Sequence, residues 1–217
     1  MAMIHRSAKI FKKIFNPCWK KPLNYGTVAN NMSDHFDDKI VWMDMEMTGL
    51  ELDTCHILEV ACLVTDSKLN VISDEFSTVI HQPDDVLACM GKWCREQHEK
   101  AGLTEASRKS KISLKSAETD LLKFVKTYVP EKKCPLAGNS VYMDRMFLAK
   151  YMPTVDQYLH YRIIDISSIK ELNRRWNYQV YKNAPKKSFK HRAIDDIRES
   201  IKELQYYKEN FFKISDP

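Results

Sequence analysis

KIVWMDM (residues 39–45), HILEVACLVTD (56–66) and NVISDEFSTVIHQ (70–82) are three successive runs rich in apolar and β-branched residues, and each reads as a strand. Side by side they predict an opening antiparallel meander. The texture turns helical from about residue 85, and LKSAETDLLKFVKTYV (114–129) sets Leu114, Ala117, Leu121, Phe124 and Val125 on one helical face. CPLAG (134–138) returns to strand. A helix is then expected from about Val141 to Tyr151, a strand at YRIIDI (161–166), a helix over 167–176 and a long last helix from about 192. Strands first, then alternation with helices, predict an α/β fold with a mixed sheet. At 217 residues and 44% hydrophobic content, the chain has the material for one sizeable domain preceded by a tail.

Asp44 and Glu46 stand two apart in the first strand, so the strand period puts both carboxylates on one face. Neighbouring anions repel. In a strand otherwise made of Ile, Val, Trp and Met, a bound divalent cation is the economical way to offset that repulsion, and a solvent-facing edge strand is the plainer alternative. Asp144 in GNSVYMDR and the pair Asp195 and Asp196 in HRAIDDIRES lie near predicted helix starts, where acids are common. The last helix separates its two aspartates. Ala193, Ile194, Ile197, Ile201 and Leu204 define its apolar stripe, from whose centre Asp196 lies about 110° away and Asp195 about 150° away at roughly 100° per residue. Asp195 shares its face with Glu199 and Lys202 and is expected to point to water. Asp196 shares its side with Ala193 and Ser200, small residues that leave room beside a site. His191 follows the Lys-rich loop APKKSFK, where an imidazole is free to project.

The net charge of +5 is unevenly spread. Residues 1–33 hold Arg6, Lys9, Lys12, Lys13, Lys20 and Lys21 and no acid, leaving 28 of the 34 basic residues against all 29 acidic ones. A nearly neutral body argues against a grip on long nucleic acid, whose affinity comes largely from neutralised phosphates. Within the leader, Ile4, Ala8, Phe11, Phe15 and Cys18 form one apolar stripe opposite the basic residues, as in a mitochondrial presequence; a basic tail, disordered or lying on a membrane surface, is the alternative. Residues 1–38 are thus expected to be leader and linker, and 39–213 the folded domain. Met32 offers a second start that would give a cytosolic form. The six cysteines include no C-x-x-C pair and read as buried thiols. Cys89, Cys94 and His98 lack the further ligand pair that a structural zinc site needs. No run approaches the roughly 20 apolar residues of a membrane span, and no stable membrane association is expected.

The set Asp44-x-Glu46, Asp144 after Gly138-Asn139-Ser140, and His191-x4-Asp196 resembles the DEDD exonucleases of the His-containing branch. WMDMEMTGL, CPLAGNS, FLAKYMP, HYRIIDISSIKEL and HRAIDDIRESI are similar, more narrowly, to oligoribonucleases, over about residues 39–213. The resemblance implies an RNase H-like α/β fold of a single domain, with a mixed central sheet flanked by helices. It also implies two divalent metal ions, Mg²⁺ or Mn²⁺, and 3′-to-5′ hydrolysis of short oligoribonucleotides, down to dinucleotides, into 5′-mononucleotides. Asp44, Glu46, Asp144 and Asp196 would hold the metals and His191 would act as general base. Leu50 would wedge between the two bases, with Trp93 and His98 beside the substrate and Ser140, Arg162 and Ser167 closing around its 5′ end. Tyr161 would reach across the two-fold axis of a homodimer into the partner's site. A relative acting on longer DNA or RNA, and a catalytically dead binding module, are the rival readings. The His160-Tyr161-Arg162 motif speaks against the first, and the presence of all five catalytic residues against the second.

Overall fold

The computed structural model describes residues 37–186 and 192–212. β1 (Ile40–Met47) pairs antiparallel with β2 (Ile57–Thr65), which pairs antiparallel with β3 (Phe76–Val79). β4 (Leu136–Gly138) lies parallel on the other side of β1, and β5 (Ile163–Asp165) parallel on β4, so the mixed sheet runs β3-β2-β1-β4-β5. Every residue of β2 is buried, as expected of a strand covered by helices on both faces. Between β3 and β4 come α1 (Asp84–Ala88), α2 (Lys92–Lys100), α3 (Leu103–Lys109) and α4 (Leu114–Tyr128); α5 (Tyr142–Tyr151) and α6 (Pro153–Tyr158) connect β4 to β5. After β5 follow α7 (Ile166–Trp176), α8 (Tyr178–Asn183) and α9 (Ala193–Asn210).

The alternation of β1 sorts two cores. Val41, Met43 and Met45 pack with Val60, Leu121, Val125 and Phe147, on the side of α4 and α5. Trp42 packs with Ala61, Leu63, Ile197, Ile201 and Tyr207, on the side of α9. Asp44 and Glu46 continue the face begun by Trp42 and so point toward α9. Close approach of β4 to β1 depends on Gly138, where a Cβ would come within 2.9 Å of the Met43 carbonyl oxygen.

The third strand is shorter than the run 70–82 predicts. Asp66 accepts from the backbone N–H groups of Lys68 and Asn70, bending the chain into a turn, and the Ser73 hydroxyl accepts from Val64 N. Side chains thus take ladder positions, and only Phe76–Val79 forms a regular pair with β2. The cysteines also differ from expectation. Cys62 and Cys134 are buried, but Cys89 is exposed and Cys55 and Cys94 are half-buried, while Cys18 lies outside the described residues. So does the leader. Among the described residues no helix is long and apolar enough to cross a membrane.

Candidate metal centre and active site

Asp44 and Glu46 leave β1 on the face that α9 covers, and Asp196 enters from the first turn of α9. One carboxylate oxygen from each of the three lies within 4.8 Å of the other two. Small residues make this convergence possible, with Ala61 opposite Asp44 across the β ladder and Ala193 and Ser200 beside Asp196 on the helix. Asp195 turns away from the cluster to Arg198, whose Nη1 lies 2.9 Å from its carboxylate. The helix therefore separates its two aspartates as its periodicity predicts, although Asp195 is ion-paired where simple solvation was expected.

Asp144, the fourth expected ligand, stands in the first turn of α5 and is buried. Its Oδ1 accepts from Met45 N at 2.9 Å, which braces it against the backbone between Asp44 and Glu46. Its negative charge reaches Glu46, but its oxygens are outside the group of three. His191 falls outside the described residues.

Electrostatics make this a poor place for uncompensated acids. Burial, followed by the charges of Asp196, Glu59 and Asp144, pushes the Glu46 carboxyl up to about 8 from its ordinary 4.5, against a smaller lowering by Arg192. Burial likewise pushes Asp144 up, partly offset by backbone hydrogen bonds. Hard oxygen donors crowded together in a partly dry site suit a divalent cation. A test follows. The unfolded chain releases the Glu46 proton near 4.5 and the folded, metal-free protein holds it until about 8, so the folded state binds more protons across that window. Stability should therefore fall as pH rises from about 5 to about 8, by about 1–3 kcal/mol, and added Mn²⁺ should remove the slope. Thermal melts in chelator that stay flat or rise with pH would contradict this.

His98 is more deeply placed than its pairing with Trp93 suggests. Its Nε2 lies 2.9 Å from the Met47 carbonyl oxygen, which puts the ring proton there, and its Nδ1 is 3.8 Å from Glu46 Oε2. His98 is thus buried against the acidic group, whereas Trp93 on the same helix is 64% exposed. No zinc group forms from Cys89, Cys94 and His98 among the described residues.

Of the remaining expected substrate residues, Leu50, Ser140 and Ser167 follow the C-terminal ends of β1, β4 and β5, whereas Tyr161 and Arg162 precede β5, at the end where those parallel strands begin. Leu50 is 66% exposed just beyond β1. Ser140 adopts a left-handed conformation (φ 53°), so that its N–H is shared by Asp165 Oδ1 at 3.0 Å and Ser167 Oγ at 2.9 Å, and the two serine hydroxyls lie 3.1 Å apart. Asp165 caps α7 by accepting from Ser167 N. The Arg162 guanidinium lies over the Tyr161 ring, 5.5 Å from its centroid, and Tyr161 is 74% exposed. Two groups escaped the sequence reading. Asn139 donates to Ser200 Oγ and to Glu203 on α9, and Glu59 receives Arg192. The signal was present for Glu59, a charge set in the apolar run ILEVACLV.

The profile of the RNase_T family, described as exonuclease, matches residues 41–204. The human "Oligoribonuclease, mitochondrial" is 50% identical over 188 residues, covering 87% of this chain and 79% of that protein. The chain belongs to the oligoribonuclease family. The "Probable oligoribonuclease" of Drosophila melanogaster is 51% identical over 82% of this chain and 84% of its own, and the oligoribonuclease of Francisella tularensis is 46% identical over 82% and 98%. Among solved structures, the zinc-bound form of E. coli exonuclease I with single-stranded DNA superposes with a TM-score of 0.63 at 16% identity over 81% of this chain. The chain spans only 41% of that larger protein, and the likeness establishes the exonuclease fold, an RNase H-like α/β domain. This oligoribonuclease-family chain is accordingly an exonuclease, a hydrolase of phosphodiesters.

Proposed function

We propose that this exonuclease is a 3′-to-5′ exoribonuclease that degrades short oligoribonucleotides, down to dinucleotides, to 5′-mononucleotides. Convergence of Asp44, Glu46 and Asp196 supports this reading, with Asp144 braced at its side. These four would hold two divalent ions, Mg²⁺ or Mn²⁺, which when bound supply positive charge to the phosphate and leaving oxygen. His191 takes a proton from the attacking water, for which an imidazole is suited near neutral pH. Leu50 separates the two bases, and Trp93 and His98 stand beside the substrate, His98 also lying 3.8 Å from Glu46. Ser140, Ser167 and Arg162 receive the 5′ end, and an enclosed end selects for very short chains. The near neutrality of residues 34–217 agrees with a substrate that has almost no backbone to follow.

A time course on 5′-labelled RNAs of two to about ten nucleotides tests the reading. Dinucleotide hydrolysis should depend on added Mg²⁺ or Mn²⁺; activity that persists in chelator, or a preference for long RNA, would refute it.

The domain extends over 39–213, and residues 1–38 supply leader and linker. A leader of this kind, on a relative of mitochondrial oligoribonucleases, indicates mitochondrial import, with a cytosolic form from Met32. Residues 1–33 fused to a fluorescent reporter should reach mitochondria, and Asp at positions 11 and 15 should stop import; import unchanged by those acids would show that the apolar stripe is not the signal. The active form is a homodimer. The exposure of Ile163 on the edge strand β5 and of Tyr161 just before it supports a two-fold contact in which Tyr161 reaches the partner's site.

A further inference from the structure

We propose that the ion pair of Glu59 with Arg192 is a positioning device that sets Glu46 and Asp196 at a common metal-binding distance. Glu59 is fully buried on β2, on the same face as Ala61 and directly across the ladder from Glu46. That cross-strand pair is the last before the register shifts between Glu46 and Met47, so the strand geometry at Glu46 is set here. Arg192 grips the Glu59 carboxylate with two prongs, Nη2 to Oε1 at 2.8 Å and Nε to Oε2 at 3.0 Å. The grip is supplemented by Ser77 Oγ at 3.2 Å and by Ala193 N at 3.4 Å. The same Arg192 begins α9, and its carbonyl accepts from Asp195 N at 3.0 Å and Asp196 N at 3.1 Å. One clamp thus joins the strand residue opposite Glu46 to the helical turn that carries Asp196.

Glu59 itself is held by donors and is outside the group of converging oxygens, so it has no direct part in the reaction. Arg192 offers a second, simpler role, that of a positive charge near the acids. The two roles predict opposite results. If Arg192 acts only through its charge, removing it makes the cluster more negative and Mn²⁺ binds more tightly. If it positions Asp196, removing it loosens the ligand set and Mn²⁺ binds more weakly, because groups that orient metal ligands commonly contribute 10- to 100-fold in affinity.

The inference rests on the metal reading above, and calorimetric titration of Mn²⁺ into the metal-free full-length protein separates the two. Arg192→Ala is expected to weaken Mn²⁺ binding about tenfold or more. Arg192→Lys keeps the charge but cannot form the fork, and should give a smaller loss of the same sign, about threefold or more. If Arg192→Ala fails to fold, Arg192→Lys carries the test, with circular dichroism confirming its fold. Wild-type or tighter binding in the folded variants overturns the positioning role and leaves the metal reading intact. No Mn²⁺ binding by the wild-type protein overturns both.

Discussion

Asp196→Asn should lower hydrolysis at least about a thousandfold, equivalent to about 4 kcal/mol of transition-state stabilisation, while Asp195→Asn keeps most of the activity. Asp196 contributes one of the three oxygens that converge within 4.8 Å, and a neutral amide there weakens the hold on a cation. Asp195 pairs with Arg198, which also binds Glu75, and an exposed ion pair of this kind is worth little. The stability of the metal-free protein should move the other way. Removing one of several crowded anions relieves repulsion, and Asp196→Asn should melt at a higher temperature than wild type in chelator. Equal losses of activity from the two substitutions, or a lower melting temperature for metal-free Asp196→Asn, would refute this assignment.

Much of that contrast was legible in the sequence, because a helix with a clear apolar stripe fixes the direction of each neighbour. The same holds for Asp44 and Glu46, where a period of two and an apolar surround marked one face. Legibility failed where side chains compete with the backbone or where partners are distant. Ser73 and Asp66 replaced ladder bonds that the run 70–82 was expected to make. Glu59 is a charge in an apolar run, but its partner lies 133 residues away, and no local pattern relates them. His98 lies five residues from Trp93, a rotation of about 140° on a helix, which agrees with one ring being buried and the other exposed.

Mixing chains that carry Tyr161→Ala with chains that carry Asp44→Ala should restore activity that neither has alone. In the shared-site arrangement, one site of the mixed dimer has lost both residues and the other has kept both. At random exchange about one quarter of all sites would be intact, and specific activity should approach about one quarter of wild type. If Tyr161 served its own subunit, every site would lack one residue and mixing would change nothing. A size measurement during exchange, with no recovery despite mixed dimers, would eliminate the shared site. Its 74% exposure in the single chain is what a side chain meant for a partner requires.

Gly138 ties two properties together that could otherwise vary separately. With 2.9 Å between the Met43 carbonyl oxygen and the place a Cβ would occupy, the backbone of β4 rests on β1 one residue before Asp44. Two residues further on, the same segment becomes the turn of Ser140, proposed above to receive the substrate's 5′ end. Widening that turn to admit a longer chain would drag on the strand that carries Asp44 and Glu46. With the proposed contacts, the length limit can be changed by replacing Arg162 or Ser167 but not by relaxing the turn, so a lineage that came to accept longer RNA would be expected to retain this glycine.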